Sequence, residues 1–275
     1  MKELKPKEFP FIVVEPGRKL FILSITGKPA AYAYESAGFH HKLVDMLAAQ
    51  KVSVLRAYKQ LLPEGFEWVF FIDVSQVENL EGFLDSFRKL PEVVSVKWAG
   101  PEQDVIVDVL HFPMTSRGGV RMIIFSAEML SKVLTELYRV FGTGASFILY
   151  KLGFDFGDAL ASHCKRMLTA ASGGIELPPR KIIEVFLIYS MSAGWQIPEK
   201  VEISEEDRIK ALVRVRELWE ALARKDLDLE VGCDLFRGIL AGFFTNLYGV
   251  RFKAVEVKCA GRSAPHCEFH LTEEG

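Results

Sequence analysis

Long hydrophobic runs are missing from this chain. Its longest charge-free stretch is the 14 residues Val185 to Pro198, short of the roughly 18 to 20 apolar residues a membrane-spanning helix needs, so no membrane span is expected. A charge excess is missing too: 34 Lys plus Arg against 36 Asp plus Glu leave a net charge of -2. That balance offers no general attraction to nucleic-acid phosphates or anionic lipid, and no direct nucleic-acid partner is expected. The polar opening MKELKPKEFPF carries no apolar signal-peptide core, so the expected location is cytoplasmic. No dinucleotide fingerprint, phosphate loop or recognisable Ser/His/Asp motif occurs, which weighs against an enzyme. Cysteine is scarce. Four occur in 275 residues, too few in too long a chain for a secreted disulfide scaffold.

What is present suits packed cores: 49% hydrophobic and 12% aromatic residues, in a length that fits two modest domains. Leu20 to Ile25 reads as a buried strand, and Ala37 to Gln50 as a helix with Phe39, Leu43, Met46 and Leu47 at helical spacing. Val52 to Leu55 and Phe66 to Val74 read as strands, the second entered by the Leu62-Pro63-Glu64-Gly65 turn. Asn79 is an N-cap for a helix that sets Phe83, Leu84 and Phe87 on one face and stops at Pro91. Val93 to Val96 and Val105 to Leu110 are β-branched runs. The order is β-α-β-β-α-β with a strand extension, the ferredoxin-like arrangement. The polar break Met114 to Gly119 places a domain boundary there, giving domains 1–114 and 115–275.

Beyond the break, Val120 to Phe125 reads as a strand and Ala127 to Leu152 as a long helix, with Gly142 and Gly144 inside it for close packing or approach to a ligand. Helices follow at Phe156 to Ala171 and Pro178 to Ala193, then strands at Gly194 to Ile203 and Ile209 to Trp219. Cys233 opens a helix, Asp234 to Tyr248, ended by Gly249. Strands at Phe252 to Cys259 and Cys267 to Thr272 close the chain. The class is α+β, with helices on an antiparallel sheet in the second domain.

Three of the four cysteines, Cys233, Cys259 and Cys267, fall in the last 43 residues. Strand alternation puts Val255, Val257 and Cys259 on one face and Cys267, Phe269 and Leu271 on one face, so both thiols point coreward at neighbouring hairpin ends. A helix starting at Cys233 offers a third thiolate, favoured by the helix dipole. On an ideal strand Glu256 points away from Cys259 and needs a bulge to come round; His266 is the rival fourth ligand. Four protein ligands would make a closed, structural site. Cys164 beside His163 reads as a buried helix thiol next to an exposed imidazole.

The C-terminal half resembles the 4-vinyl reductase, or hydrocarbon-binding, domain family over about residues 115 to 273. The resemblance is carried by Phe141-Gly142-Thr143-Gly144 through Leu149-Tyr150-Lys151-Leu152-Gly153, by Gly194-Trp195, and by the ending Cys233…Gly238-Ile239-Leu240-Ala241-Gly242-Phe243-Phe244…Val255-Glu256-Val257-Lys258-Cys259…His266-Cys267-Glu268-Phe269. It implies zinc held by Cys233, Glu256, Cys259 and Cys267, a fold similar to the TRAPP vesicle-tethering subunits, and an apolar cavity for a hydrophobic or aromatic small molecule. Tyr150, Phe186, Tyr189, Trp195 and Trp219 are the candidate lining residues. The first domain resembles the ACT regulatory module, through Gly38-Phe39…Leu43…Leu47-Ala48…Val52-Ser53-Val54, with about ten residues, Lys28 to Ala37, where that family has a short turn. Both resemblances imply a homodimer. The expected function is a ligand-binding regulatory or sensor protein acting on a regulatory protein partner; the alternatives are an adaptor or assembly module and an accessory reductase of tetrapyrrole metabolism.

Overall fold

The apolar run after Lys19 becomes the centre of a four-stranded sheet in the computed structural model, which describes residues 5, 6, 8, 11–29, 37–116, 120–222 and 232–274. The chain divides into two compact units, 1–114 and 115–275. In the first, strands β1 (Ile12–Gly27), β2 (Ser53–Leu62), β3 (Gly65–Asp73) and β4 (Val93–Val107) alternate with helices α1 (Ala37–Ala49) and α2 (Leu80–Arg88). The sheet order is β2-β3-β1-β4 and every pairing is antiparallel, the order that the split β-α-β arrangement dictates. Asn79 caps α2 by accepting from the Gly82 amide. Phe39, Leu43 and Leu47 of α1 join Phe83, Leu84 and Phe87 of α2 over Phe21, Leu23, Ile25, Phe70 and Ile72 of the sheet.

Two expectations change here. The runs Val93 to Val96 and Val105 to Leu110 are one strand up to Val107, and β1 starts as early as Ile12. Register shifts between Val14 and Lys19 and between Leu20 and Ile22 let the two long strands stay paired. Gly17, with φ +80°, supplies the backbone the first shift needs, and its amide donates to Asp104 Oδ1 at 2.6 Å. The coiled ends bring Val13 and Ile106 over the second face of the sheet, where they pack on Leu20, Ile22, Val69 and Phe71 with Leu55, Tyr58 and Leu110. Arg117, Gly118 and Gly119 of the expected boundary, and most of the expected segment from Lys28 to Ala37, lie outside the described residues.

In the second unit, helices α3 (Ala127–Phe141), α4 (Gly144–Ala171) and α5 (Pro179–Ser192) precede strands β5 (Ile197–Ser204) and β6 (Lys210–Arg216). A short helix α6 (Trp219–Leu222), helix α7 (Asp234–Tyr248) and strands β7 (Phe252–Lys258) and β8 (Cys267–Glu273) follow. The sheet is antiparallel, in the order β5-β6-β8-β7. Ala211, Val213 and Val215 of β6 are buried, as their alternation requires, against Cys267, Phe269 and Leu271 of β8 and the apolar helix α7.

The expected helix from Ala127 to Leu152 is broken at Gly142 instead, whose φ of +53° ends α3. A Cβ on Gly142 would meet nothing within 4 Å, so this glycine serves the chain reversal and not close packing. The glycines that do serve packing are elsewhere. A Cβ on Gly153 would sit 2.1 Å from Leu235 O, on Gly157 2.1 Å from Ile239 O, on Gly238 2.2 Å from Tyr150 O and on Gly242 1.9 Å from Phe154 O. Spaced four apart on each helix, they let α4 and α7 cross backbone against backbone, as small-residue repeats do in helix pairs. Val120 to Phe125 is not a strand: among these residues only Arg121 is bridged, to Thr115, because no neighbouring strand offers a ladder. Trp219 belongs to α6, since Glu217 at φ +51° turns the chain out of β6.

Candidate metal centre

Cys233 is the residue from which α7 starts, Glu256 lies on β7, Cys259 follows the end of β7 and Cys267 opens β8. The fold brings their side chains together: one ligand atom from each lies within 4.8 Å of all the others. Cys233 and Cys267 are fully buried, Cys259 nearly so. The face assignment for β7 needs correction. Val255 and Val257 are 42% and 47% exposed, while Phe252 and Ala254 point inward. The register slips between Glu256 and Lys258, so that Glu256 faces Phe269 and Lys258 faces Glu268. That bulge reverses the parity of the strand, and Glu256 and Cys259, three residues apart, both turn to the site.

The geometry fits a small tetrahedral cation. Zinc–sulfur bonds of about 2.3 Å at tetrahedral angles imply a sulfur–sulfur edge of about 3.8 Å; Cys233 Sγ and Cys259 Sγ are 3.7 Å apart. Glu256 Oε2 accepts the Cys233 amide at 2.6 Å, whereas Glu256 Oε1 is buried with no hydrogen-bond partner. A buried, unpartnered carboxylate oxygen beside three thiols is a donor waiting for a cation. Electrostatics agree. Burial and then the negative charge of Cys259 push the Glu256 carboxyl up to about 8. Hydrogen bonds with Cys233 and Cys267 hold the Cys259 thiol far below its ordinary value, and burial pushes Cys233 well above it. Four acidic groups thus compete for too few protons in a buried space, a conflict that a divalent cation relieves.

Other residues hold the ligands in place. The Ala260 amide donates to Cys267 Sγ at 3.3 Å. Glu220, fully buried on α6, accepts the Leu235 amide at 3.0 Å and the Phe236 amide at 2.8 Å, satisfying open donors in the first turn of α7. Asp234 accepts Tyr138 Oη at 2.7 Å and Arg237 at 2.8 Å, and Arg237 lies 4.8 Å over the Tyr150 ring. Sequence reasoning missed Glu220 and Tyr138. Asp234 is at least adjacent to Cys233, but nothing local marks a carboxylate 15 positions upstream of Leu235 as a helix cap.

His266 lies 3.6 Å from Glu268 and is not one of the clustered ligands. Burial pushes Cys164 up to about 11, as befits an inert thiol in the core. Phe186 is fully buried and stacked on Phe243 at 4.3 Å. Tyr150, Tyr189, Trp195 and Trp219 are half-buried; Trp195 has its ring 6.0 Å from the half-exposed Phe156, and its carbonyl accepts the Trp219 amide.

Residues 231–273, which hold all four clustered ligands, match the vinyl-4-reductase domain family. Solved structures similar to the chain include the phenol-responsive sensory domain of the transcription activator PoxR with phenol, at 18% identity and TM-score 0.47, over 58% of this chain and 83% of that one. A vinyl-4-reductase family protein from Methanocaldococcus jannaschii is 18% identical with TM-score 0.34, over 56% and 85%. A trafficking protein particle complex subunit 3 from Naegleria fowleri, covalently bound to palmitic acid, is 14% identical with TM-score 0.37, over 54% and 95%. No curated protein matches the chain.

Proposed function

We propose that this chain is a cytoplasmic regulatory protein whose C-terminal unit is a zinc-stabilised sensory domain for an apolar or aromatic small molecule, and that it works as a homodimer. The observation that carries the reading is the convergence of Cys233, Glu256, Cys259 and Cys267, with an unpartnered Glu256 oxygen, inside the segment that matches the vinyl-4-reductase domain. Three thiolates favour zinc over the hard cations, which prefer oxygen. Four protein ligands leave no open position for water, so the ion would be structural and not catalytic. It would fasten the start of α7 to the β7–β8 hairpin. The four cysteines are unpaired and buried, the state a reducing compartment maintains. Among the described residues no helix is long and apolar enough to cross a membrane.

The ligand would lie where α4 and α5 approach Trp195, with Phe156, Tyr189, Trp195 and Trp219 supplying apolar surface and two indole donors for orientation. Tyr150 would bound it through its contact with Arg237, and Phe186 would support it from the core. The N-terminal unit would pass the signal to a protein partner. Organic extraction of the purified protein, read by mass spectrometry, and quenching of tryptophan fluorescence by a panel of phenols and fatty acids test this. A retained or saturably bound apolar molecule is expected. The absence of both would remove the sensory reading and leave the metal reading intact.

A further inference from the structure

Helix α3 has two apolar edges and uses only one of them. Leu134 and Tyr138 are buried, but Met129, Val133, Val140 and Phe141 are each more than half exposed. Steps of four, four and three put Met129, Val133, the half-buried Leu137 and Val140 on one stripe of the helix. Lys132, Val133, Glu136, Leu137, Val140 and Phe141 line a shallow groove along it. Contiguous apolar surface of this kind on a water-facing helix marks an interaction site.

The charges beside the stripe say what covers it. Lys132 and Glu136 share one flank. Lysine four residues before glutamate is the weaker order for a pair within one helix; Glu136 pairs with Arg139 instead, and Lys132 has no ion pair among the described residues. When two copies of α3 pack antiparallel about a two-fold axis near Thr135, Met129 comes opposite the partner's Phe141 and Val133 opposite the partner's Leu137. Each flank then meets the same flank of the other copy, so Lys132 approaches the partner's Glu136 twice, once in each direction. Both the apolar stripe and the charged flank are therefore complementary to themselves, which is what a second copy requires and an unrelated partner does not. A stable interface covers about 800 Å² per partner. The exposed Ile123, Ile124 and Phe125, just ahead of α3, extend the surface beyond the stripe.

We propose that the outer stripe of α3 is the seam of an antiparallel two-fold dimer of this chain, a proposal that rests on the homodimer of the reading above but not on its metal or its ligand. Sedimentation of the full-length chain over a range of concentrations tests it. The wild type is expected to be dimeric. Val133→Glu with Val140→Glu is expected to raise the dimer dissociation constant at least about tenfold, the mark of losing a central contact, with metal content and circular dichroism unchanged. Lys132→Glu and Glu136→Lys are each expected to weaken the dimer, and the combined swap to restore it, a rescue that mere stickiness would not give. A wild type that stays monomeric, a double-glutamate variant that stays dimeric, or a charge swap that fails to rescue overturns the proposal. So does a monomer in which α3 is protected from exchange, because another part of its own chain would then cover the stripe.

Discussion

Replacing Gly242 by alanine puts the crossing of α4 and α7 to a direct test. The new methyl carbon would lie 1.9 Å from Phe154 O, 2.7 Å from Phe154 C and 3.0 Å from Asp158 N. These are backbone atoms, so no rotamer change relieves the overlap. The helices must part by about 1 Å, which places the cost at the upper end of overpacking penalties, about 3 kcal/mol. Alanine returns about 1 kcal/mol through its better helix propensity. The net expectation is a loss of about 2 kcal/mol, or about 4 to 8 °C in the melting temperature of a unit this size. Gly144→Ala, at the start of α4, is the control. Its nearest neighbour is 3.9 Å away, so the same substitution there should be neutral or stabilise by up to about 1 kcal/mol. Calorimetry of the transition belonging to residues 115–275 separates the two. A Gly242→Ala protein as stable as the wild type would refute the close crossing and with it the placement of Cys233 at the start of α7.

Cys267→Ser should abolish metal retention, and Glu256→Gln should weaken it by about 10- to 100-fold, as read by competition with a chromophoric chelator; acidification should release the ion as protons reclaim the thiolates. Glu220→Gln should cost about 2 kcal/mol, because it weakens two hydrogen bonds from α7 amides to a buried charge, and amide exchange at Leu235 and Phe236 should quicken. In the first unit, His111 lies 3.0 Å from Glu67 and 2.9 Å from Asp108. Burial lowers its affinity for a proton, but the hydrogen bonds to Glu67 and Asp108 outweigh burial and raise it above the ordinary 6.5. Its contribution to stability is therefore complete below about pH 6.5 and is lost as pH rises through the raised folded value. His111→Asn should cost about 2 kcal/mol at pH 6 and progressively less above neutrality, in denaturant titrations across that range; a cost independent of pH would contradict the clamp.

Much of this was legible in the residues because it depends on local pattern. Alternation in β6, the Asn79 cap and the spacing of Phe83, Leu84 and Phe87 each announce their element without help from the rest of the chain. The glycines show where pattern stops being enough. Gly142, Gly153 and Gly157 read alike as helix weaknesses, yet one turns the chain and two admit a neighbouring backbone, and only the approach of α7 distinguishes them. Glu256 was harder still, since alternation points it away from the thiols and a single-residue slip against β8 brings it back. Glu220 meets amides 15 and 16 positions away, and His111 meets Glu67 at a separation of 44, distances across which composition and period carry no signal. Val120 to Phe125 has strand chemistry and no partner, which a one-strand pattern does not reveal.

The most direct test of the account is the metal content of the protein purified without added metal or chelator, measured by plasma mass spectrometry beside Cys267→Ser. The account predicts one zinc per wild-type chain and none in the variant. A folded wild type with reduced thiols and no bound divalent metal would contradict it.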